Sequence, residues 1–66
     1  MHVSWDGSTL MVKDGFSRLT VCDMSGRQVY SATADDTADL SFLDRGYYIA
    51  TIICGNGQKV MKLMAD

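Results

Sequence analysis

The sequence predicts an all-β fold, a small antiparallel sandwich of about six to seven short strands. Three observations predict it. Turn signals recur about every 8 to 11 residues, at Asp6-Gly7, Asp14-Gly15, Ser25-Gly26, Asp35-Asp36, Arg45-Gly46 and Gly55-Asn56-Gly57, the spacing of short strands joined by tight turns. The runs between them are rich in Val, Ile, Thr and Tyr, side chains that suit a pleated surface. All eight acidic residues are Asp, and proline is absent. Asp bonds to nearby backbone and favours caps and turns, so Asp and Gly do the turning.

The strands are expected near residues 2–5, 9–13, 19–23, 27–33, 38–41, 47–54 and 58–64. Leu19 and Val21 alternate with Thr20 and Cys22, so the leucine and valine face inward. Asp23-Met24-Ser25-Gly26 then suits a type I turn, with Asp first and Gly last. The glycine closes the hairpin through a bulge, and Arg27-Gln28-Val29-Tyr30 returns antiparallel. Residues 47–54 form the longest apolar run and read as a central strand. Asn56-Gly57 turns that run into the last strand. Residues 32–42 are the best helix candidate, but they are rich in Asp and Thr and hold no 3.6-residue period.

Composition narrows the function classes. Sixty-six residues make one domain, and a net charge of −2 with scattered basic residues argues against nucleic acid or an anionic membrane as partner. No apolar run approaches the roughly 20 residues of a membrane span. No signal peptide is visible, so an export signal would lie elsewhere on a longer parent chain. Cys22 and Cys54 fit no metal spacing and alternate onto different faces, which argues against a disulfide and for two half-buried thiols.

Catalytic and metal constellations are not expected. His2 is the only histidine, so no serine or cysteine triad of the usual kind can be built. Asp35, Asp36 and Asp39 lack the glycine and spacing of a calcium loop and read as a solvated segment. Met11, Met24, Met61 and Met64 are dispersed and read as filler rather than a soft-metal site. Lys59 and Lys62 read as edge protection on the final strand, and an unpaired edge strand in so small a sandwich invites a weak homodimer or swapping. Trp5 reads as a lid over one end of the sandwich.

Asp44-Arg45-Gly46-Tyr47-Tyr48 leads a loop into the longest strand. The arrangement resembles the tyrosine corner of immunoglobulin-like sandwiches, in which a tyrosine hydroxyl bonds back to loop backbone. Gly46 makes the bend, Tyr48 pins it, and Ala50 and Ile52 continue the inward face. Tyr47 points the other way and is expected to be more exposed or to cover a second face. Antibody-type domains fit poorly, because Ala50 stands where their second core cysteine would sit and no tryptophan lies in a middle strand.

A run of motifs from Leu19 to Met64 carries a closer resemblance. An apolar strand ends in Asp23, Gly26, Arg27 and Val29. Asp39, Leu40 and Ser41 follow, then Leu43, Gly46 and Tyr48 before a second apolar strand, then Lys62, Leu63 and Met64. In this order and spacing the chain resembles the C-terminal sorting domain of type IX secretion cargo. The resemblance implies an immunoglobulin-like sandwich over residues 1–66, a fragment of a larger secreted protein with an N-terminal passenger. It implies a non-catalytic address without cofactor or metal. The outer-membrane translocon would recognise it after periplasmic transit, and a sortase-like peptidase usually removes it, delivering the passenger to the cell surface or beyond. The recognition positions it implies are Asp23, Gly26, Arg27, Leu43, Gly46, Tyr48, Lys62 and Leu63. The alternative is an accessory immunoglobulin-like module binding carbohydrate or protein on a surface enzyme. An exposed cluster of Trp5, Tyr30 and Tyr47 would favour it.

Overall fold

The computed structural model describes residues 2–55 and 57–65. Five strands follow one another: β1 (Val3–Trp5), β2 (Thr9–Asp23), β3 (Gln28–Asp39), β4 (Gly46–Cys54) and β5 (Gly57–Ala65). All pairings are antiparallel. No helix occurs among the described residues, and residues 32–39 extend β3. The strands form one curled sheet in the order β1-β2-β4-β5, with β3 also paired to β2.

The strand count differs from the expected six to seven for one physical reason. Asp14-Gly15 and Asp35-Asp36 were expected to end strands. Both instead sit inside long strands, opposite one another. Between Met11 and Phe16 β2 advances five residues, while β3 advances only two between Thr37 and Asp35. The surplus residues bulge, with Asp14 at φ 72°, Gly15 at 85° and, across the ladder, Ala34 at 51°. A bulge bends the strand and raises its twist without breaking the pairing on either side. Residues 9–13 and 19–23 therefore belong to one strand, as do residues 28–33 and 38–39.

This bend gives β2 different partners along its length. Its first half pairs with β1, Val3 opposite Val12 and Trp5 opposite Leu10. Its second half pairs with β4, from Arg18 opposite Ile53 to Asp23 opposite Tyr48. β3 follows β2 through the bend. The two halves close on a single core, with Leu10, Val12, Ala38 and Leu40 on one side and Leu19, Val21, Ala50, Ile52 and Leu63 on the other. The radius of gyration, 10.8 Å, equals the roughly 11 Å of a compact chain this long, so the curl leaves no open sheet.

One long-range bond fastens the closure. Trp5 Nε1 donates to the carbonyl of Met64 at 2.9 Å, tying the first strand to the end of the last. Trp5 is half-buried and packs on the core, as a lid would. The two cysteines are free and half-buried. Cys54 points inward and its Sγ reaches the carbonyl of Gly15 at 3.2 Å.

Leu19 is fully buried between both halves. Leu19→Ala is expected to cost about 2–5 kcal/mol, a large share of a small domain's stability. Met24→Ala, at an exposed turn, is expected to stay within about 0.5 kcal/mol. Urea unfolding of the two variants checks the contrast.

Candidate functional site

The β2–β3 turn is organised by one carboxylate. Asp23 Oδ1 accepts from the amide of Ser25 at 3.0 Å, its hydroxyl at 2.6 Å and the amide of Arg27 at 3.0 Å. The amide of Gly26 donates to the Asp23 carbonyl at 3.0 Å, and that of Asp23 to the Arg27 carbonyl at 2.9 Å. Gly26 takes φ 93°, which closes a type I turn with a glycine bulge. The Ser25 hydroxyl first, then the amides, holds the Asp23 carboxyl below its ordinary value of 3.8. Arg27 Nε lies 3.5 Å from Asp23 Oδ2, but its side chain is 80% exposed. An ion pair so open to water adds little stability.

The loop into β4 is the second built feature. The Leu40 amide donates to Ser8 at 2.7 Å and the Leu43 amide to Leu40 at 3.1 Å, so the loop hangs from the β1–β2 turn. Gly46 takes φ 150°, which other residues rarely adopt. Tyr48, 8% exposed, turns its hydroxyl back to the Asp44 carbonyl at 2.7 Å. The expected tyrosine lock is thus present. Leu43 is half-buried against the core.

Register then gathers the motif residues. Asp23 lies opposite Tyr48, and Tyr48 opposite Leu63, so three motif positions form one row across β2, β4 and β5. Gly26 and Arg27 stand beyond Asp23 on the turn, and Gly46 opens β4 two residues before Tyr48. Lys62 sits in the adjacent row, opposite Ile49. Seven of the eight positions therefore fall at one end of the sheet, and Leu43 lies in the loop that leads into β4. Most serve shape: Leu63 is fully buried, Tyr48 nearly so, and Asp23 is spent on the turn. Arg27 and Lys62 are the two that carry long charged side chains into solvent.

Lys62 is not free-swinging. Its Nζ lies 4.5 Å from the centre of the Tyr47 ring, a cation–π contact. Tyr47 is 50% exposed, as expected for a residue facing away from Tyr48. This contact and the Trp5 bond to Met64 were not expected from the sequence. Strand alternation places Tyr47 and Lys62 on one face, but only the register makes them neighbours. Trp5 and Tyr30 are half-buried, and Tyr30 lies against Phe42, centroids 5.8 Å apart. They do not form an exposed aromatic cluster with Tyr47, which weakens the carbohydrate-binding alternative.

An open hollow lies at the opposite end of β4. It is an open cleft of about 610 Å³, lined by Lys13, Asp14, Phe16, Asp35 and Cys54 among others. Among the described residues no three His, Cys, Asp or Glu side chains gather as metal ligands. No described helix is long and apolar enough to cross a membrane.

A family model for the secretion system C-terminal sorting domain matches residues 2–66. The chain belongs to this family. The match makes the chain a type IX secretion C-terminal sorting domain. Such a domain marks a parent chain with an N-terminal passenger for secretion toward the cell surface or the extracellular space. Domains of this kind are generally non-catalytic. No curated protein and no solved structure matches the chain.

Two outcomes follow for the sorting domain. Tyr48→Phe removes the hydroxyl that satisfies Asp44 and is expected to cost about 1 kcal/mol. Tyr47→Phe should change chemical denaturation little. The second concerns acid. Hydrogen bonds from the Ser8 and Thr9 amides lower the Asp6 carboxyl, those from Ser25 and Arg27 lower Asp23, and those from Ser41 lower Asp39. Because each folded value lies below the unfolded one, their contribution is complete above the unfolded value of 3.8 and is lost as pH falls through the folded values. Urea midpoints should be flat toward neutral pH and fall below about pH 4. Asp23→Asn, which keeps an acceptor oxygen but cannot titrate, should flatten part of that fall.

Proposed function

We propose that this domain is a non-catalytic address, read by the outer-membrane translocon of a type IX secretion system after its parent chain reaches the periplasm. A sortase-like peptidase then removes it, and the passenger is released or fixed at the cell surface. In this role residues 1–66 form one domain behind an N-terminal passenger. The observation that carries the reading is the family match over residues 2–66, and the register that brings Asp23, Tyr48 and Leu63 into one row supports it. A scattered set would suit separate structural duties, whereas one end can be gripped by one receptor.

Within that end the division of labour follows exposure. Asp23, Gly26, Leu43, Gly46, Tyr48 and Leu63 set the shape, and Arg27 and Lys62 present charge to the receptor. We read the two halves of the curled sheet as the layers of an immunoglobulin-like sandwich, on the strength of the Tyr48 bond to Asp44.

The test is a reporter carrying an amino-terminal export signal and residues 1–66 at its carboxyl end, expressed in a bacterium with the secretion system. The reporter is expected at the surface or in the medium. Retention in the periplasm would overturn the proposal. Arg27→Ala with Lys62→Ala should keep the fold, by circular dichroism, and lower export by tenfold or more.

A further inference from the structure

β5 offers an open edge of definite chemistry. Cys54 and Gly57 are the last pair of the β4–β5 ladder, so two residues close the hairpin. The pair flanking such a loop exchanges both hydrogen bonds, and bonded pairs recur at every second residue. Lys59, Met61 and Leu63 thus bond to β4. Gln58, Val60 and Lys62 turn their amides and carbonyls away from it. Met64 belongs to the outward set, and its carbonyl does accept from Trp5. Among the described residues no strand pairs with β5 on that side. The open stretch from Gln58 to Lys62 spans about 13 Å. β5 also keeps unbroken register over its nine residues, unlike β3, whose pairing shifts at two places. Bulged edges resist added strands, and regular ones accept them.

Charge selects the occupant. Lys59 and Lys62 are exposed, and no described carboxylate lies within 4 Å of either ammonium. Exposed Val60 lies between them in sequence, 57% accessible. A second copy of the chain is a poor occupant. An antiparallel pairing of two β5 edges centred on Val60 brings four lysines to the seam, two on each face, and residues 57–65 hold no acid to relieve them. Like charges across a strand pair destabilise it.

We propose that the free edge of β5 takes up an extended acidic segment of a partner protein as an added strand. Main-chain hydrogen bonds to Gln58, Val60 and Lys62 hold it, an apolar side chain lies beside Val60, and carboxylates lie beside Lys59 and Lys62. The inference rests on the address reading, and it makes the receptor's contribution to the grip an acidic strand.

The probe is the nine-residue peptide Thr-Thr-Glu-Thr-Val-Glu-Thr-Thr-Thr, which in antiparallel pairing sets its Val beside Val60 and its Glu residues beside Lys59 and Lys62, added to the ¹⁵N-labelled chain. Amide exchange at Gln58, Val60 and Lys62 is expected to slow at least tenfold, with Lys59, Met61 and Leu63 unchanged. A peptide with Lys for each Glu should have no effect. Val60→Pro deletes one edge donor without touching a β4 bond and should abolish binding. Lys59→Glu with Lys62→Glu keeps every donor and should bind the Lys peptide instead. Slowing at other amides, slowing with protein concentration alone, or an unchanged peptide response in both variants would overturn the proposal. The fused reporter separates the two readings. A wild-type reporter left in the periplasm defeats the address. Export that Val60→Pro leaves unchanged defeats the added strand and leaves the address standing.

Discussion

The bulge at Asp14-Gly15, facing Ala34, is the constraint on which the molecule depends. β2 alone pairs with β1, β3 and β4. A straight strand of fifteen residues would hold those partners in one open sheet with an apolar face in water. The extra residues turn its second half over its first, so that Leu10 and Val12 come to share a core with Leu19 and Val21. Positive φ at Asp14 and Ala34 is backbone that L-residues adopt at some cost. Continuous pairing on either side of the bend over-determines it.

Aspartate supplies most of the remaining order. Asp6, Asp23 and Asp39 each accept amides two or more residues ahead. A short side chain reaches its own turn, whereas glutamate would overshoot. The domain thereby makes sharp corners without proline. The corner at Gly46 differs, since its acceptor is a carbonyl and its donor a tyrosine hydroxyl drawn from the core. The eight positions of the resemblance are thus mostly turn and core residues, and among them Arg27 and Lys62 carry long charged side chains into solvent.

Much of this was legible in the chain. The Asp23 turn, the Tyr48 lock and the inward alternation of Tyr48, Ala50 and Ile52 all rest on neighbours in sequence; the final hairpin forms between β4 and β5, but Gly57 pairs with Cys54 inside the strand and Asn56 lies outside the described residues. The strand count was not legible. Asp-Gly at 14–15 carries the same local signal whether it ends a strand or bulges within one. The choice depends on whether the residues on both sides find the same partner, β3, more than twenty residues away. The Trp5 bond to Met64 joins residues 59 apart, beyond any local rule. The clustering of motif positions needed the register as well, because Asp23, Tyr48 and Leu63 meet only across strands.

The bond from Trp5 to Met64 also makes the fold sensitive to its own completion. Leu63 and Ala65 lie in the core, and β1 is fastened by a carbonyl beside them. A ribosome that stopped a few codons short of them would yield a chain with its interior uncovered and its first strand untied. Such a product would be open to proteases, because the first strand owes its anchorage to the last.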